Sequence, residues 1–175
     1  KTDWDKIMFG GYSLNKSEFI NMRRSLKDQT LSGEYVKSYG EKVIANFLFE
    51  HNIPFRYERN HFWSGVNYRP DFTLFKTDKS GLIIEYFGLQ GDPDYDDMSG
   101  RKREYWSQKT GWKLIELYPE DIVRNEGRRD FPKLKNILES NGFECNRMSD
   151  EELWLKIKER AVDGFTGAIT NFIGR

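Results

Sequence analysis

The stretch from Tyr68 to Gly88 places the tightest constraint on the fold, because it contains two strand-forming runs around a polar turn. Aromatic and β-branched residues fill both runs, and residues 78–81 are Asp, Lys, Ser and Gly, which favour a turn. The second run, 82–87, is apolar on both faces apart from Glu85, which is typical of a central strand. The stretch therefore predicts a hairpin at the centre of a sheet.

Each strand of this hairpin carries one carboxylate at a position where a core residue is expected. Period-two alternation places Asp71 on the same face as Thr73, and Glu85 on the same face as Ile83. Pairing of the strands can bring the two acids side by side, where they repel unless a positive charge lies between them. A divalent cation is the natural candidate. The alternative is that both acids line a solvated sheet edge, which is commoner for a lone acid on a strand.

Composition limits the class of protein and the kind of metal. A chain of 175 residues with 37% hydrophobic residues is long enough for one domain with its own core. The 28 basic and 28 acidic residues cancel, so net charge gives no argument for nucleic acid. Basic residues do cluster at 23–24, 101–103 and 124–129, although such clusters are more often solvated faces.

Cysteine and histidine are scarce, and this restricts the metal chemistry. Cys145 is the single cysteine, which excludes internal disulfides and thiolate zinc sites. The chain has two histidines, His51 and His61, which argues against a histidine-rich metal site. A metal would be held mainly by oxygen, which favours magnesium or manganese. No apolar run approaches membrane-spanning length and no secretory signal is present, so we expect a cytoplasmic protein without a membrane partner. Because the first residue is Lys1, we also expect a fragment of a larger protein.

The order of elements predicts an α/β fold. Capping boxes open helices at Asn15 to Glu18 and at Ser149 to Glu152. The order helix, three strands, helix, strand gives a central mixed sheet of about four strands, flanked by helices, with extra N- and C-terminal helices. We divide the single domain into a helical flank (1–30), a core (31–122) and a second helical flank (123–175). The predicted helices cover 15–28, 38–51, 94–109, 131–140 and 149 to beyond 162; strands cover 54–60 and 112–118, and 61–67 is a turn.

Two further residues are candidates for chemistry. Glu41 either completes a capping box with Ser38 or contributes a carboxylate to a site, and the two alternatives are equally supported. Lys102 interrupts a mostly apolar stripe of the helix predicted over 94–109. A lysine in that position must extend its ammonium to solvent or form an ion pair, and Asp71 and Glu85 are the candidate carboxylate partners.

Glu41, Arg69-Pro70-Asp71 and Ile84-Glu85-Tyr86-Phe87 occur in the order that resembles a nuclease of the PD-(D/E)XK (restriction-endonuclease-like) superfamily. That superfamily has the same core of helix, three strands, helix and strand. More narrowly, the segment 31–51, YRPDF, IIEYFGL and MSGRKREYW resemble the nuclease-like domain of some UvrD-type superfamily 1 DNA helicases. The resemblance covers residues 31–122. It implies a magnesium-dependent deoxyribonuclease within a larger ATP-dependent DNA helicase, acting in DNA repair or defence.

The resemblance also implies roles for individual residues. Asp71, Glu85 and the main-chain carbonyl of Tyr86 would hold Mg²⁺, for which Mn²⁺ substitutes, and Glu41 would bind a second ion or an outer-shell water. Lys102 would orient water or stabilise the charge on the phosphate. The residues expected to contact DNA are Arg69, Arg101, Arg103 and Tyr105.

One position departs from the superfamily pattern. The superfamily usually has a lysine two residues after the second acid, and this chain has Phe87 there. Some members carry the lysine on the following helix, and Lys102 fits that arrangement. The alternative function is a catalytically inactive module of the same fold that binds DNA or mediates protein interactions. Removal of either Asp71 or Glu85 is expected to leave the fold intact, because it relieves repulsion between the acids.

Overall fold

The computed structural model describes residues 14–63, 65–88, 93–125 and 128–160 of the 175-residue chain. Its helices are α1 (Lys16–Ser25), α2 (Tyr39–Glu50), α3 (Pro93–Ser107), α4 (Pro132–Ser140) and α5 over residues 150–160. Its strands are β1 (Arg56–Tyr57), β2 (His61–Trp63), β3 (Val66–Tyr68), β4 (Phe72–Thr77), β5 (Ser80–Tyr86), β6 (Trp112–Leu117), β7 (Val123–Asn125) and β8 (Arg128–Asp130).

The described residues form two compact units. One comprises residues 14–52 and 146–160, and the other comprises residues 53–145. This division by contacts differs from the predicted division at residues 30 and 122, which stays a prediction. The first unit holds α1, α2 and α5, and the second holds all eight strands with α3 and α4.

Two helices of the first unit begin as their capping sequences predict. At α1, Asn15 Oδ1 accepts from the Glu18 N–H at 3.0 Å, while the Asn15 N–H donates to Glu18 Oε2 at 2.9 Å. At α5, the Ser149 N–H donates to Glu152 Oε2 at 2.8 Å, and Ser149 Oγ accepts from the Glu152 N–H at 3.3 Å. These bonds satisfy N–H groups that have no partner within the helix. The predicted apolar position Val162 of the last helix lies outside the described residues.

The second unit is built on a mixed four-stranded sheet in the order β1-β4-β5-β6. Strands β1, β4 and β5 are antiparallel neighbours, and β6 runs parallel to β5. The α/β class and the mixed four-stranded sheet are therefore confirmed. Strand β5 is central, as its two-sided apolar pattern predicts, and residues 81–85 are all buried. Parallel strands need a long crossover, which α3 supplies between β5 and β6.

Two short hairpins were not predicted. Residues 61–67, expected as a turn, contain β2 and most of β3, which pair from His61 opposite Tyr68 to Trp63 opposite Val66. Aromatic and β-branched residues flank Ser-Gly in this segment, and Gly65 has a φ of +80°, which suits glycine. Strands β7 and β8 form a second hairpin within the segment predicted as the C-terminal helical flank.

Gly81 tests how tightly the central strand packs. A Cβ at Gly81 would lie 2.0 Å from the carbonyl oxygen of Leu74, so we expect Gly81→Ala to lower the free energy of unfolding by about 1–3 kcal/mol. Gly100→Ala in α3 is the matched control, because a Cβ there meets nothing within 4 Å and alanine favours helix. Urea unfolding of both variants measures this. Equal unfolding free energies for Gly81→Ala and the parent would contradict this packing.

Candidate active site

Asp71 and Glu85 lie at the same end of the sheet. The last register pair of β4 and β5 is Phe72 opposite Ile84, so Asp71 and Glu85 occupy the next opposed positions. Directly opposed residues project to the same face of a sheet. The strand alternation that predicted a common face for the two acids therefore agrees with the observed register.

The carboxylate of Asp71 is fixed by the backbone of the neighbouring strand. Its Oδ2 atom accepts a hydrogen bond of 2.7 Å from the Tyr86 N–H. The Asp71 carbonyl oxygen accepts from the Glu58 N–H at 3.0 Å, which ties the residue to the end of β1 as well. Asp71 is thus held where three strands meet, and its side-chain orientation is set before any ligand binds.

Glu85 is fully buried, with a relative exposure of 0%, and Lys102 supplies its charge partner. Lys102 Nζ donates to Glu85 Oε2 at 2.5 Å, and 27% of the lysine side chain remains exposed. Burial of a carboxylate costs several kcal/mol unless a charged partner and hydrogen bonds compensate it. The lysine that interrupts the apolar stripe of α3 therefore meets one of the two predicted anions.

Aromatic packing holds α3 in the position that delivers Lys102. Trp106, one turn further along the helix, is buried and packs its ring against His61 and Trp112, at centroid distances of 5.3 and 6.4 Å. Phe87, which stands where the superfamily usually has lysine, is also buried, and the Arg103 guanidinium lies 4.9 Å from its ring centroid. The Arg103 cation of α3 therefore lies over Phe87, the strand position where the superfamily usually has lysine.

A third acid, Glu116, extends the polar face and was missed in the sequence. It is in register with Glu85 on the parallel neighbour β6. Arg103 Nε donates to Glu116 Oε2 at 2.9 Å, and the Tyr118 hydroxyl donates to the same oxygen at 2.5 Å. The hydrogen bond to Glu116 raises the pKa of Arg103, and burial raises the pKa of Tyr118. Arg103 therefore forms an ion pair with this carboxylate, while 42% of its side chain remains exposed.

The other predicted DNA contacts differ in how they are placed. Arg69 is exposed, and its guanidinium lies 3.0 Å from the Glu58 carboxylate. Arg101 is exposed on α3. Tyr105 stacks on Tyr68 with ring centroids 4.1 Å apart, so one face of its ring is covered by protein. Contact of these residues with DNA stays a prediction.

Glu41 lies at the start of α2, in the first compact unit. Ser38 Oγ accepts from the Glu41 N–H at 3.2 Å, as a capping box requires. The Glu41 carboxylate, however, accepts from the Lys37 N–H at 3.1 Å. Of the two alternatives left open by the sequence, the capping role is therefore present in a modified form, and ion binding by Glu41 stays a prediction.

The donor atoms at Asp71 and Glu85 have the chemistry that a hard divalent cation prefers, because both are carboxylate oxygens. Among the described residues, no group of three or more His, Cys, Asp or Glu side chains is placed to hold an ion. Two carboxylates with a main-chain carbonyl near Tyr86 nevertheless suit magnesium, which keeps several waters in protein sites. Glu85 would then divide its interactions between the ion and Lys102.

His61 is a second residue whose role the sequence did not indicate. Its side chain is 5% exposed, and Nε2 lies 2.9 Å from Thr73 Oγ1, on the sheet face that carries Asp71. Burial, with a smaller contribution from the charge of Arg59, lowers the pKa of His61 from 6.5 to about 4. His61 is therefore neutral at pH 7 and acts as a buried hydrogen-bonding group beneath α3.

No protein-family model matches this chain, and no solved structure matches it. Over 88 residues, half of the chain, it is 27% identical to part of an uncharacterized protein of Methanocaldococcus jannaschii. The matched part is 7% of that protein, so the chain spans a small fraction of this relative's length. Within the described ranges, no helix is both long and apolar enough to cross a membrane.

The pair of Lys102 and Glu85 makes a prediction about stability. Because Asp71 and Glu85 both have partners, we no longer expect their loss simply to relieve repulsion. Lys102→Met leaves a buried carboxylate without its ammonium and should lower the free energy of unfolding by about 3 kcal/mol. The double variant with Glu85→Gln should recover much of this loss, because no buried charge remains. Urea unfolding at pH 7 measures both.

Lys113→Met is the matched control for this comparison. Lys113 is exposed on β6 and in register with Leu82, on the sheet face opposite that of Glu85. We expect a change within about 0.5 kcal/mol. An equal effect of Lys102→Met and Lys113→Met would show that the pair adds nothing to stability.

The lowered pKa of His61 predicts acid sensitivity. The unfolded chain takes up this proton near pH 6.5 and the folded chain near pH 4, so stability from His61 is present above pH 6.5 and falls as the pH drops toward 4. The loss should be on the order of 3 kcal/mol. Unfolding free energies at pH 7.5 and 4 should therefore differ less for His61→Gln than for the parent. The same difference in both proteins would refute the assignment.

Proposed function

We propose that this chain is a metal-dependent DNA nuclease domain of the PD-(D/E)XK type, which hydrolyses phosphodiester bonds. The observation that carries the proposal is the contact of Lys102 with Glu85, 2.5 Å from nitrogen to oxygen, beside Asp71. Two acids come from adjacent strand ends, and the cation comes from the crossover helix. This is the combination that the resemblance implies for a member whose lysine lies on the following helix.

In this proposal Asp71, Glu85 and the main-chain carbonyl of Tyr86 would hold the ion. When bound, a divalent cation supplies a Lewis acid that offsets charge developing on the phosphate. The hydrogen bond from the Tyr86 N–H keeps Asp71 oriented, so this ligand needs no rearrangement.

Lys102 has the central role among the chain's own residues. Its ammonium compensates Glu85 in the absence of substrate, and its partly exposed side chain can also reach solvent. A cation held in this way can donate to a phosphate oxygen or hold the attacking water as charge develops. The helix packing around Trp106 keeps the ammonium in place, which reduces the reorganisation needed during the reaction.

DNA is the proposed partner, and its phosphates would be held by the exposed cations Arg69 and Arg101. Arg103 and Tyr105 are weaker candidates, because Arg103 is bound to Glu116 and Tyr105 is stacked on Tyr68. We place the domain in a larger cytoplasmic ATP-dependent DNA helicase that acts in DNA repair or defence. The sequence resemblance supports this.

A second function, DNA binding without cleavage, is favoured by two observations. Lys102 already neutralises Glu85, and the described part of the chain holds no group of three or more candidate metal ligands. A module of this kind would keep the fold and the exposed arginines and would lose the need for an ion. Calorimetric titration with Mn²⁺ separates the two functions, because only the nuclease requires binding that Asp71→Asn and Glu85→Gln abolish.

Single-turnover cleavage of labelled DNA with Mg²⁺ tests the nuclease directly. Lys102→Ala and Lys102→Gln should each lower the cleavage rate about 100-fold or more, the scale for loss of one preorganised charge, while the Kd for DNA changes little. Chelation should stop cleavage, and Mg²⁺ or Mn²⁺ should restore it, with Zn²⁺ a poor substitute. Both variants are assayed at a temperature at which circular dichroism shows that they are folded.

Lys113→Gln is the matched control, because it removes an exposed charge from the opposite face of the sheet. It should cleave at the parent rate. Cleavage by Lys102→Ala at the parent rate would remove Lys102 from the mechanism, and cleavage that survives exhaustive chelation would rule out the metal dependence.

A further inference from the structure

The hairpin of β2 and β3 exposes an aromatic ring on its outer face. The Phe62 side chain, in the middle of β2, has a relative exposure of 70%. Strand alternation places Phe62 and its cross-strand partner Asn67 on one face, and His61 with its partner Tyr68 on the other. At the base of the hairpin, the His61 face packs against the protein.

The packed face fixes the base of the hairpin next to the candidate active site. His61 bonds to Thr73, two residues from Asp71, and Tyr68 stacks on Tyr105, one turn from Lys102 on α3. An isolated two-stranded hairpin is marginally stable in water, so these contacts hold it in place. Burial raises the pKa of Tyr68, while the charge of Lys102 opposes this rise and that of Glu85 adds to it, so the Tyr68 hydroxyl lies within electrostatic range of the pair.

The outer face combines the exposed ring with amides and positive charge. Asn67 Nδ2 donates to Asn60 Oδ1 at 3.0 Å, and both amide side chains are exposed beside Phe62. Two exposed arginines flank the base of the hairpin, Arg59 before β2 and Arg69 after β3. The Arg59 guanidinium lies 4.5 Å from the Phe75 ring centroid, and the Arg69 guanidinium lies 3.0 Å from the Glu58 carboxylate with 54% of its side chain exposed. The surface thus offers a ring for stacking, amides for hydrogen bonds and, at its base, the Arg69 cation for a phosphate.

We propose that this outer face binds unpaired DNA bases, with Phe62 stacked on a base and Arg69 near the adjoining phosphate. The substrate of the proposed nuclease is then single-stranded DNA or a frayed duplex end. This inference rests on the proposed function, because it takes DNA as the partner. Aromatic rings stack on every base type, and arginines follow the backbone, so binding is independent of sequence.

Fluorescence anisotropy with a labelled single-stranded oligonucleotide, in EDTA to prevent cleavage, tests the inference on the full 175-residue chain. Phe62→Ala should weaken binding about 5- to 150-fold, the range for loss of one stacked base. Phe62→Trp should bind like the parent, because it keeps an aromatic face. Phe62→Leu should bind like Phe62→Ala, because it keeps apolar volume and loses the ring.

An abasic oligonucleotide provides the second arm of the test. The parent should bind it more weakly than the normal strand, and Phe62→Ala should bind the two strands equally. Val123→Ala is the matched control, since Val123 is an exposed apolar residue on the other hairpin of the same unit. Thermal melts of Phe62→Ala should match the parent, because the ring is exposed.

The outcomes separate this inference from the proposed function. If the parent binds single-stranded DNA and Phe62→Ala binds it equally well, the stacking surface is refuted while the nuclease stands. Parent-like affinity of Phe62→Leu would also refute stacking, because apolar volume without a ring would then suffice for binding. If the parent binds no DNA at all, the proposed function fails, and this inference fails with it.

Discussion

The buried carboxylate of Glu85 is the constraint on which the rest of the second unit depends. It lies in the central strand, where both faces are otherwise apolar, and a charge there needs a compensating cation. Lys102 meets this need from α3, the helix that also makes the crossover between parallel strands β5 and β6. The element that completes the sheet topology is therefore the same element that completes the candidate site.

The sheet face beneath α3 carries several paired polar side chains among apolar ones such as Ile83 and Phe87. Next to Glu85 and Lys102 lie the bonds of Arg103 and Tyr118 to Glu116, and His61 bonds to Thr73 near the hairpin base. Hydrogen bonds are stronger in surroundings of low dielectric, and partly satisfied networks are correspondingly costly. Such a face fixes its side chains before a ligand arrives, which is what a catalytic or phosphate-binding site requires.

Local patterns in the sequence were sufficient for the features that depend on local physics. The two-sided apolar pattern of residues 82–87 identified β5 as a central strand, and capping sequences located the starts of α1 and α5. Helical spacing identified Lys102 as a cation on a mostly apolar stripe, where it needs a negatively charged partner. Features that depend on long-range register were not accessible. Pairing of Arg103 with Glu116 requires the parallel alignment of β5 and β6, which no local periodicity contains. The strands β2 and β3 are three residues each, too short for alternation to distinguish them from a turn.

The most direct test of the proposed metal site is a crystal structure of the chain grown with Mn²⁺, with anomalous scattering measured to locate the ion. A metal-dependent site predicts a manganese peak at the carboxylates of Asp71 and Glu85, with Lys102 Nζ moved from its 2.5 Å contact with Glu85. It predicts that the peak disappears in Glu85→Gln. Full occupancy of the Lys102 contact with Glu85 and no manganese at Asp71 would contradict the metal-dependent site and leave a charge pair that only stabilises the fold.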